Sequence, residues 1–232
     1  MTVSSNLSYN SCSFILSDAG GATSRILGGE VKPPHSQPWV VGIIFDNGDR
    51  IECGGTLISK KHVISAAHCI WFKVNATHVL VGEHDQRIAD GEEKIPITKE
   101  TMHPDYHPEL HPNPDLIVYE LAKMVENRYT KPAYLPKENE QFAKYIVSGW
   151  GYKNKNKELS DVLRSVVLAD IRTDDSCYLL DEYYDPNNTL CGENLSNIWL
   201  GPCGGDSGGK FMSTSTKFGQ LNLNNKYAKC KL

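Results

Sequence analysis

The 232-residue sequence lacks any long hydrophobic run and any excess of positive charge. A helix needs about 18 or more consecutive apolar residues to span a bilayer, and no segment approaches that length. The net charge is -4 at pH 7 and the pI is near 6.1, which argues against a nucleic-acid partner. These two absences exclude a membrane span and a polyanion-binding surface from the expected functions.

A recognisable export signal is also missing from the first 24 residues. They contain no Lys or Arg, and their longest apolar run is the three residues 14–16. A secretory signal combines a positively charged start with a longer apolar run and a small-residue cleavage site. Either the start of this sequence is incomplete or the export signal lies elsewhere.

The seven cysteines show none of the close pairs that form a zinc site. This number of cysteines favours an oxidising compartment, and its being odd leaves at least one cysteine unpaired or intermolecular. Sequons of the form Asn-x-Ser/Thr, which matter if the protein is secreted, begin at Asn6, Asn75, Asn187 and Asn194.

Helical periodicity is scarce, whereas short β-rich runs are frequent. A hydrophobic run over residues 39–45 ends in Asp-Asn-Gly, a strong hairpin signal. Further strands are predicted over residues 56–59, 62–66, 79–82, 116–121, 145–148 and 163–171. The one internal helix is predicted over residues 173–184, before Pro186. Many short strands at close spacing indicate a sandwich or a barrel.

The strongest chemical motif is the glycine-rich segment 203–209, which reads CGGDSGG. Glycines adopt backbone angles that other residues refuse, and they let a substrate approach the main chain closely. In such a turn Ser207 presents its hydroxyl beside a row of free N–H groups. The segment is therefore interpreted as a nucleophile within an anion-binding turn.

A serine nucleophile needs a base and a group that orients the base. His68 follows the small residues 65–67 at the end of a predicted strand, and Asp115 precedes an apolar strand that would hold it in the interior. With these residues in the order His, Asp, Ser, the chain resembles the chymotrypsin-type (trypsin-like) serine proteases. The resemblance runs over residues 26–209.

The resemblance implies an all-β fold of two six-stranded antiparallel Greek-key barrels, the second of them incomplete. It implies a secreted, monomeric serine endopeptidase that cleaves protein or peptide substrates and needs no organic cofactor. His68, Asp115 and Ser207 would form the catalytic triad, and the N–H groups of Gly205 and Ser207 would form the oxyanion hole.

Residues 25–29 read RILGG and are similar to the activation site of the family. An activating protease would cleave after Arg25 and free the amino group of Ile26, which is largely cationic at neutral pH. In the family this ammonium inserts beside the aspartate that precedes the nucleophile, here Asp206. Residues 1–25 are then a propeptide, residues 26–209 the protease domain and residues 210–232 a divergent tail.

The resemblance also implies the disulfide pairing. It pairs Cys53 with Cys69 and Cys177 with Cys191, and it leaves Cys203 with Cys230. A third family bridge is absent on both sides, since Tyr145 and Ser213 occupy its positions.

Residues 82–93 resemble the calcium loop of the family. The expected ligands are the hard oxygen atoms that Ca²⁺ prefers: the carboxylates of Glu83, Asp90 and Glu93 and the carbonyls of Asp85 and Ile88. The alternative is a solvated acidic loop, which is common on protein surfaces.

Two departures from the family pattern concern the substrate pocket. The pocket-floor position six residues before Ser207 is Gly201, so a preference for Lys or Arg at P1 loses its electrostatic support. From Lys210 onward the tail contains five lysines and no acidic residue, and the family's pocket-wall strand is not visible in it. The alternative hypothesis is therefore a catalytically inactive homologue, or a truncated splice product, that binds or regulates a partner.

Overall fold

The computed structural model describes residues 29–46, 48–71, 75–107, 114–135, 142–154, 156–171, 190–193, 206–209, 212–213 and 228–230. The strands of the first half are β1 (Glu30–Val31), β2 (Val40–Phe45), β3 (Cys53–Ser59), β4 (His62–Ser65), β5 (Ala76–Val81), β6 (Glu93–Met102) and β7 (Ile117–Leu121). Those of the second half are β8 (Lys144–Gly149), β9 (Arg164–Asp170), β10 (Leu190–Glu193), β11 (Met212–Ser213) and β12 (Ala228–Cys230). A single-turn helix, α1 (His68–Trp71), follows β4.

The prediction of an all-β fold is confirmed by this content. The helix predicted over residues 173–184 lies outside the described residues. No helix within the described ranges has the length and hydropathy needed to cross a membrane.

The first half is a closed barrel with the strand order β2-β3-β4-β7-β6-β5. Its neighbouring strands are all antiparallel. Its core is built from β-branched and aromatic side chains, which suit a pleated and buried surface. Members with no exposed surface are Val41, Ile43, Val63, Ala67, Val79, Val81, Ile95, Ile117, Tyr119 and Leu121.

One barrel strand, β6, has a sequence that predicted no strand. Most of its residues are half-buried or exposed, and Pro96 lies within it. It forms because β5 and β7 pair with it on either side, so pairing partners outweigh its weak local preference.

The second half is a six-stranded sheet with the order β11-β8-β9-β10-β12, and β1 adds to β9. The family pattern is antiparallel, but β10 and β12 run parallel here. β12 comes from the tail that departs from the family pattern, which accounts for this difference. The strand that directly follows the nucleophile motif, β11, is antiparallel to β8.

The two halves meet across a shared hydrophobic cluster. It contains residues of β2, β4 and β11 together with residues of the connecting loops of both halves: Trp39, Val40, Ile44, Ile51, Ile64, Ala133, Trp150, Leu163 and Met212. Trp150 is 1% exposed, and its indole N–H donates to the carbonyl of His84 at 3.2 Å. The candidate site lies at this junction.

Candidate active site

The first barrel brings the predicted base and its orienting carboxylate together. Asp115 is 5% exposed and precedes β7, and His68 begins α1 just after β4. Since Ser65 at the end of β4 pairs with Ile117 at the start of β7, the two residues lie at the same end of the barrel. Asp115 Oδ2 lies 2.6 Å from His68 Nδ1, and Asp115 Oδ1 accepts a hydrogen bond from the His68 backbone N–H at 2.8 Å. These two contacts fix both the position and the orientation of the imidazole.

The imidazole remains accessible, because the side chain of His68 is 39% exposed. Since Nδ1 faces the carboxylate, Nε2 is the nitrogen that a reacting group on the accessible side would meet. A histidine with this arrangement can take a proton at Nε2 while the carboxylate stabilises the resulting cation.

The turn that carries Ser207 packs against the end of β4. The carbonyl of Ser207 accepts a hydrogen bond from Gly54 N–H at 2.7 Å. Gly208 has a φ of 81°, and a side-chain carbon at this position would overlap the Gly54 carbonyl and the Ser65 hydroxyl. Ala66 N is also close to it, two residues before His68. The structure therefore places the turn beside the strand end that leads to His68.

Asp206 is buried next to the loop that follows β8. It is 4% exposed, and its Oδ1 accepts a hydrogen bond from Gly151 N–H at 2.9 Å. A side-chain carbon at Gly149 or Gly151 would overlap the Asp206 carboxyl group. These two glycines carry no predicted role, although their spacing around Trp150 is a sequence signal for the close approach of another segment.

The predicted activation residues Arg25 and Ile26 lie outside the described residues, but the chain that follows them is anchored to β9. Glu30 and Val31 of β1 pair with Ser165 and Arg164.

Arg164 also donates from Nη1 to the Gly29 carbonyl at 3.0 Å, and from Nε to the Ser160 hydroxyl at 3.0 Å. It is 8% exposed and pairs across the sheet with Gly149, which contacts Asp206. Arg164 is a functional candidate that sequence reasoning missed; its signal was a lone arginine within a strand-forming run.

A second link between the halves is a buried polar cluster next to this anchor. Gln37 donates to the Ser165 hydroxyl at 2.6 Å, and the Ser148 hydroxyl donates to the Gln37 carbonyl oxygen. The hydroxyl oxygens of Ser148 and Ser165 also form a hydrogen bond, at 2.9 Å. The cluster joins the segment after β1 to both central strands of the second sheet.

The predicted disulfide between Cys53 and Cys69 is present, with an S–S distance of 2.13 Å. It ties α1, and hence His68, to the start of β3. Cys191 is also disulfide-bonded. Its expected partner Cys177 lies outside the described residues, as do Cys203, Gly201 and Gly205, so the remaining pairings and pocket positions stay predictions.

The predicted calcium loop brings only part of its ligand set together. Glu83 is 7% exposed, and burial, followed by the charges of Asp90 and Glu92, raises its pKa to about 7. Two buried carboxylate oxygens, Glu83 Oε1 and Asp90 Oδ1, have no hydrogen-bond partner.

Two of the other expected ligands are engaged elsewhere. Glu93 forms an ion pair with Lys123 at 2.5 Å, and the Asp85 carbonyl accepts from Ile88 N–H at 3.0 Å. Within the described part of the chain, no three acidic, histidine or cysteine side chains converge as a metal site would require. The two orphaned oxygens fit a hard cation, and the rest of the set is not assembled around them.

Comparison with known proteins identifies the class to which this fold and site belong. A family model described as Trypsin matches residues 26–225. The chain therefore belongs to the trypsin family of serine proteases. It is assigned to the serine-type endopeptidases, hydrolases that act on protein substrates and need no organic cofactor.

The chain is also similar to individual curated proteins over most of its length. It is 33% identical over 214 residues to kallikrein-15 of Homo sapiens, covering 85% of this chain and 80% of that protein. It is 30% identical over 218 residues to the clotting factor G beta subunit of Tachypleus tridentatus, covering 86% and 69%. To ovochymase of Halocynthia roretzi it is 29% identical over 217 residues, covering 90% of this chain but only 14% of that much longer protein.

Proposed function

We propose that this chain is a secreted serine endopeptidase whose catalytic triad is His68, Asp115 and Ser207. The observation that carries the proposal is the pair of contacts from Asp115 to the ring and the backbone of His68. The packing of the Ser207 turn against Gly54 and Ser65, on the same strand end, supports the third member.

In the proposed reaction the Ser207 hydroxyl oxygen forms a bond to the scissile carbonyl carbon while His68 Nε2 takes the hydroxyl proton. The carbonyl oxygen becomes an oxyanion, which the N–H groups of Gly205 and Ser207 stabilise. The C–N bond then breaks and His68 returns the proton to the leaving amine. Water repeats the sequence on the acyl-enzyme, and Asp115 holds the imidazole and stabilises its cation throughout.

Activation in this proposal begins with cleavage after Arg25 by another protease. The new Ile26 ammonium would then approach the buried carboxylate of Asp206. A carboxylate in the interior is strongly stabilised by a paired cation, so the ion pair would lock the turn that carries Ser207. Support comes from Arg164, which holds the Gly29 carbonyl three residues after Ile26 and pairs with Gly149 beside Asp206.

The proposed substrates are proteins or peptides with an uncharged or small P1 residue, because Gly201 places no carboxylate at the pocket floor. We propose that the enzyme acts as a monomer outside the cell. The disulfide between Cys53 and Cys69 supports an oxidising compartment.

The alternative, an inactive homologue or truncated product, is favoured by the tail from residue 210. The described sheet of the second half is open, with β11 and β12 at its two ends. Against it, the sheet continues past Ser207, since β11 pairs with β8 and Met212 is 2% exposed. Catalysis is therefore the main proposed function, and binding or regulation of a partner is the alternative.

A fluorophosphonate probe separates these two functions, because it reacts with an activated serine and not with an ordinary one. The chain, cleaved after Arg25, is expected to be labelled, and the Ser207→Ala variant is not. Ser213→Ala serves as the matched control, since Ser213 lies six residues further on and has no proposed role. Labelling of the wild type no faster than Ser207→Ala would overturn catalysis and leave the binding role.

Calcium binding at residues 82–93 is a further part of the proposal. Glu83 and Asp90 would supply carboxylate oxygens, with the Asp85 and Ile88 carbonyls completing the shell. The Glu93 carboxylate would have to leave its ion pair with Lys123 in order to bind the calcium ion. The ion would neutralise a crowded acidic group and would take no part in the reaction.

A further inference from the structure

One surface feature that the proteolytic chemistry does not use is the sequon Asn75-Ala76-Thr77. Its acceptor, Asn75, is exposed and lies directly before β5. The middle residue is not proline, so the segment satisfies the requirement for N-linked glycosylation. The acceptors of the other three sequons, Asn6, Asn187 and Asn194, lie outside the described residues.

We propose that Asn75 carries an N-linked glycan at the rim of the candidate active site. In this modification the Asn75 amide nitrogen forms a bond to C1 of the first sugar of a lipid-linked oligosaccharide. The bond from C1 to the lipid pyrophosphate breaks, the pyrophosphate leaves with the electron pair, and the amide nitrogen gives up one proton. The donor is a lipid-linked oligosaccharide of the secretory pathway.

The strand register places Asn75 at the end of the barrel that carries His68 and Asp115. Ser65, at the end of β4, pairs with Ile117, two residues after Asp115. Antiparallel pairing alternates strand direction, so this end also holds the start of β3, the end of β2 and the start of β5. The pairs that establish it are Thr56 with Ile64, Ile43 with Cys53, and Phe45 with Ala76.

The short connection between the two residues keeps them on the same rim. Asn75 follows His68 by seven residues, and the disulfide from Cys69 to Cys53 holds the intervening helix against the start of β3. A glycan on Asn75 would therefore project from the end of the barrel at which substrates reach His68.

The folded position of Thr77 indicates when the modification takes place. Its hydroxyl donates to the Ile44 carbonyl at 3.3 Å, and the residue is half-buried in the pairing of β5 with β2. The transferase must recognise this hydroxyl, so glycan transfer is expected before β5 joins the barrel, during synthesis. The folded, unmodified chain should be a poor acceptor.

A glycan is bulky and hydrophilic. At this rim it would obstruct large folded substrates and protein inhibitors more than short peptides. This consequence rests on the proposed catalysis, whereas occupancy of Asn75 rests only on the proposed passage of the chain through the secretory pathway.

The test expresses the full chain behind a secretory leader in human cells and recovers it from both medium and lysate. Deglycosylation with PNGase F in ¹⁸O-water converts each occupied asparagine to ¹⁸O-aspartate, which peptide mass spectrometry locates. Asn75 is expected to be occupied in the wild type and in Thr77→Ser, which keeps the sequon. The mark should be lost in Thr77→Val and Asn75→Gln. An unmarked Asn75 in the wild-type chain overturns the proposal, whether or not the other sequons are occupied.

The effect on access is measured as the ratio of cleavage of a folded protein to cleavage of a short peptide. This ratio is expected to rise in Asn75→Gln relative to the wild type after activation of both. An equal ratio in the wild type and in Asn75→Gln would show that the glycan does not obstruct large substrates. If neither protein cleaves any substrate, the proposed function fails while the occupancy measurement still decides the glycan.

Discussion

The two halves of the molecule contribute to the candidate site in different ways. The first half is a closed barrel, and it alone positions His68 against Asp115 through strands that pair with each other. The second half is an open sheet over the described residues, and Ser207 and Asp206 lie in the connection between β10 and β11. The position of the proposed base and its carboxylate therefore depends on the barrel, whereas the position of the proposed nucleophile depends on contacts between the halves.

The largest expected effects come from removing the members of the proposed triad. Ser207→Ala and His68→Ala should each lower kcat by about 10⁴–10⁶-fold. Asp115→Asn should cost about 10⁴-fold, because the amide cannot hold the same imidazole tautomer. Steady-state kinetics on the chain cleaved after Arg25 measures these losses, with thermal unfolding as a check that each variant folds. Wild-type activity in Asp115→Asn would contradict the role of the barrel pair.

A second variant breaks the contact between the halves while leaving the barrel pair intact. In Gly208→Ala the new carbon meets the Gly54 carbonyl and the Ser65 hydroxyl, and the positive φ adds strain. A displacement of Ser207 by about 1 Å is enough to lower activity about 100-fold. The rate of fluorophosphonate labelling reports this loss.

Gly48→Ala is the matched control for this variant, because the nearest atom to its new carbon is 3.8 Å away. It should keep the labelling rate of the wild type. Equal rates for the two glycine variants would show that the turn tolerates displacement.

A third variant tests the anchor of the activation segment. Arg164→Met keeps much of the buried volume but loses the hydrogen bonds to Gly29 and Ser160. Such losses cost about 1–3 kcal/mol each when a buried partner is left unsatisfied. We expect about tenfold lower activity in the cleaved chain. A loss of about 1.4 kcal/mol in the stability of the state in which the Ile26 amine lies beside Asp206 lowers the population of that state about tenfold.

Cyanate distinguishes this positioning role from general destabilisation. It modifies accessible amines, so the Ile26 amine of the cleaved wild type should react slowly and that of Arg164→Met faster. Lys144→Met, on the exposed end of β8, is the control and should react like the wild type. Equal reaction rates in all three proteins would assign Arg164 a purely structural role.

The smallest expected effect on activity concerns the acidic loop, which touches both halves and whose proposed ion would take no part in the reaction. Gln86 N–H donates to the Asp161 carbonyl at 2.9 Å, and the backbone of Asp85 forms an isolated antiparallel β-bridge with Val162. Saturating Ca²⁺ at about 100 times its Kd would stabilise the folded chain by about 2.7 kcal/mol. For a chain of this size that is about 5–10 °C in Tm.

Thermal unfolding with and without CaCl₂ measures this shift, with MgCl₂ as the control ion. The shift should disappear in Glu83→Gln and persist in Glu126→Gln, an exposed acidic position outside the loop. An unchanged Tm in CaCl₂ would leave the loop as a solvated acidic segment.

Much of the first barrel was predictable because its strands carry their own signal. The predicted run over residues 39–45 corresponds to β2, and the run over residues 116–121 corresponds to β7. β3 begins at Cys53, three residues earlier than predicted, because Gly54 and Gly55 are weak strand formers that pair with β2. β6 was missed altogether, since its polar sequence becomes a strand through its neighbours.

The residues of the candidate site were named from the sequence, whereas the residues that support them were not. The motif around Ser207 and the order of His68 and Asp115 indicated the proposed chemistry, because a nucleophile, a base and a carboxylate are rare in these settings. Gly149, Gly151 and Arg164 act through contacts with segments far away in the sequence. A local pattern can signal that such a residue makes a contact, but it does not reveal which distant segment the residue meets.

The sequence by itself determined the family, the all-β character and the residues proposed to perform acyl transfer. It did so because side-chain chemistry and strand preference are local properties. Only the tertiary structure decided which groups meet: the carboxylate of Asp115 with the backbone N–H and Nδ1 of His68, the buried Asp206 with Gly151, and Arg164 with Gly29. Distance in space depends on register and packing, and these are set by the whole chain at once.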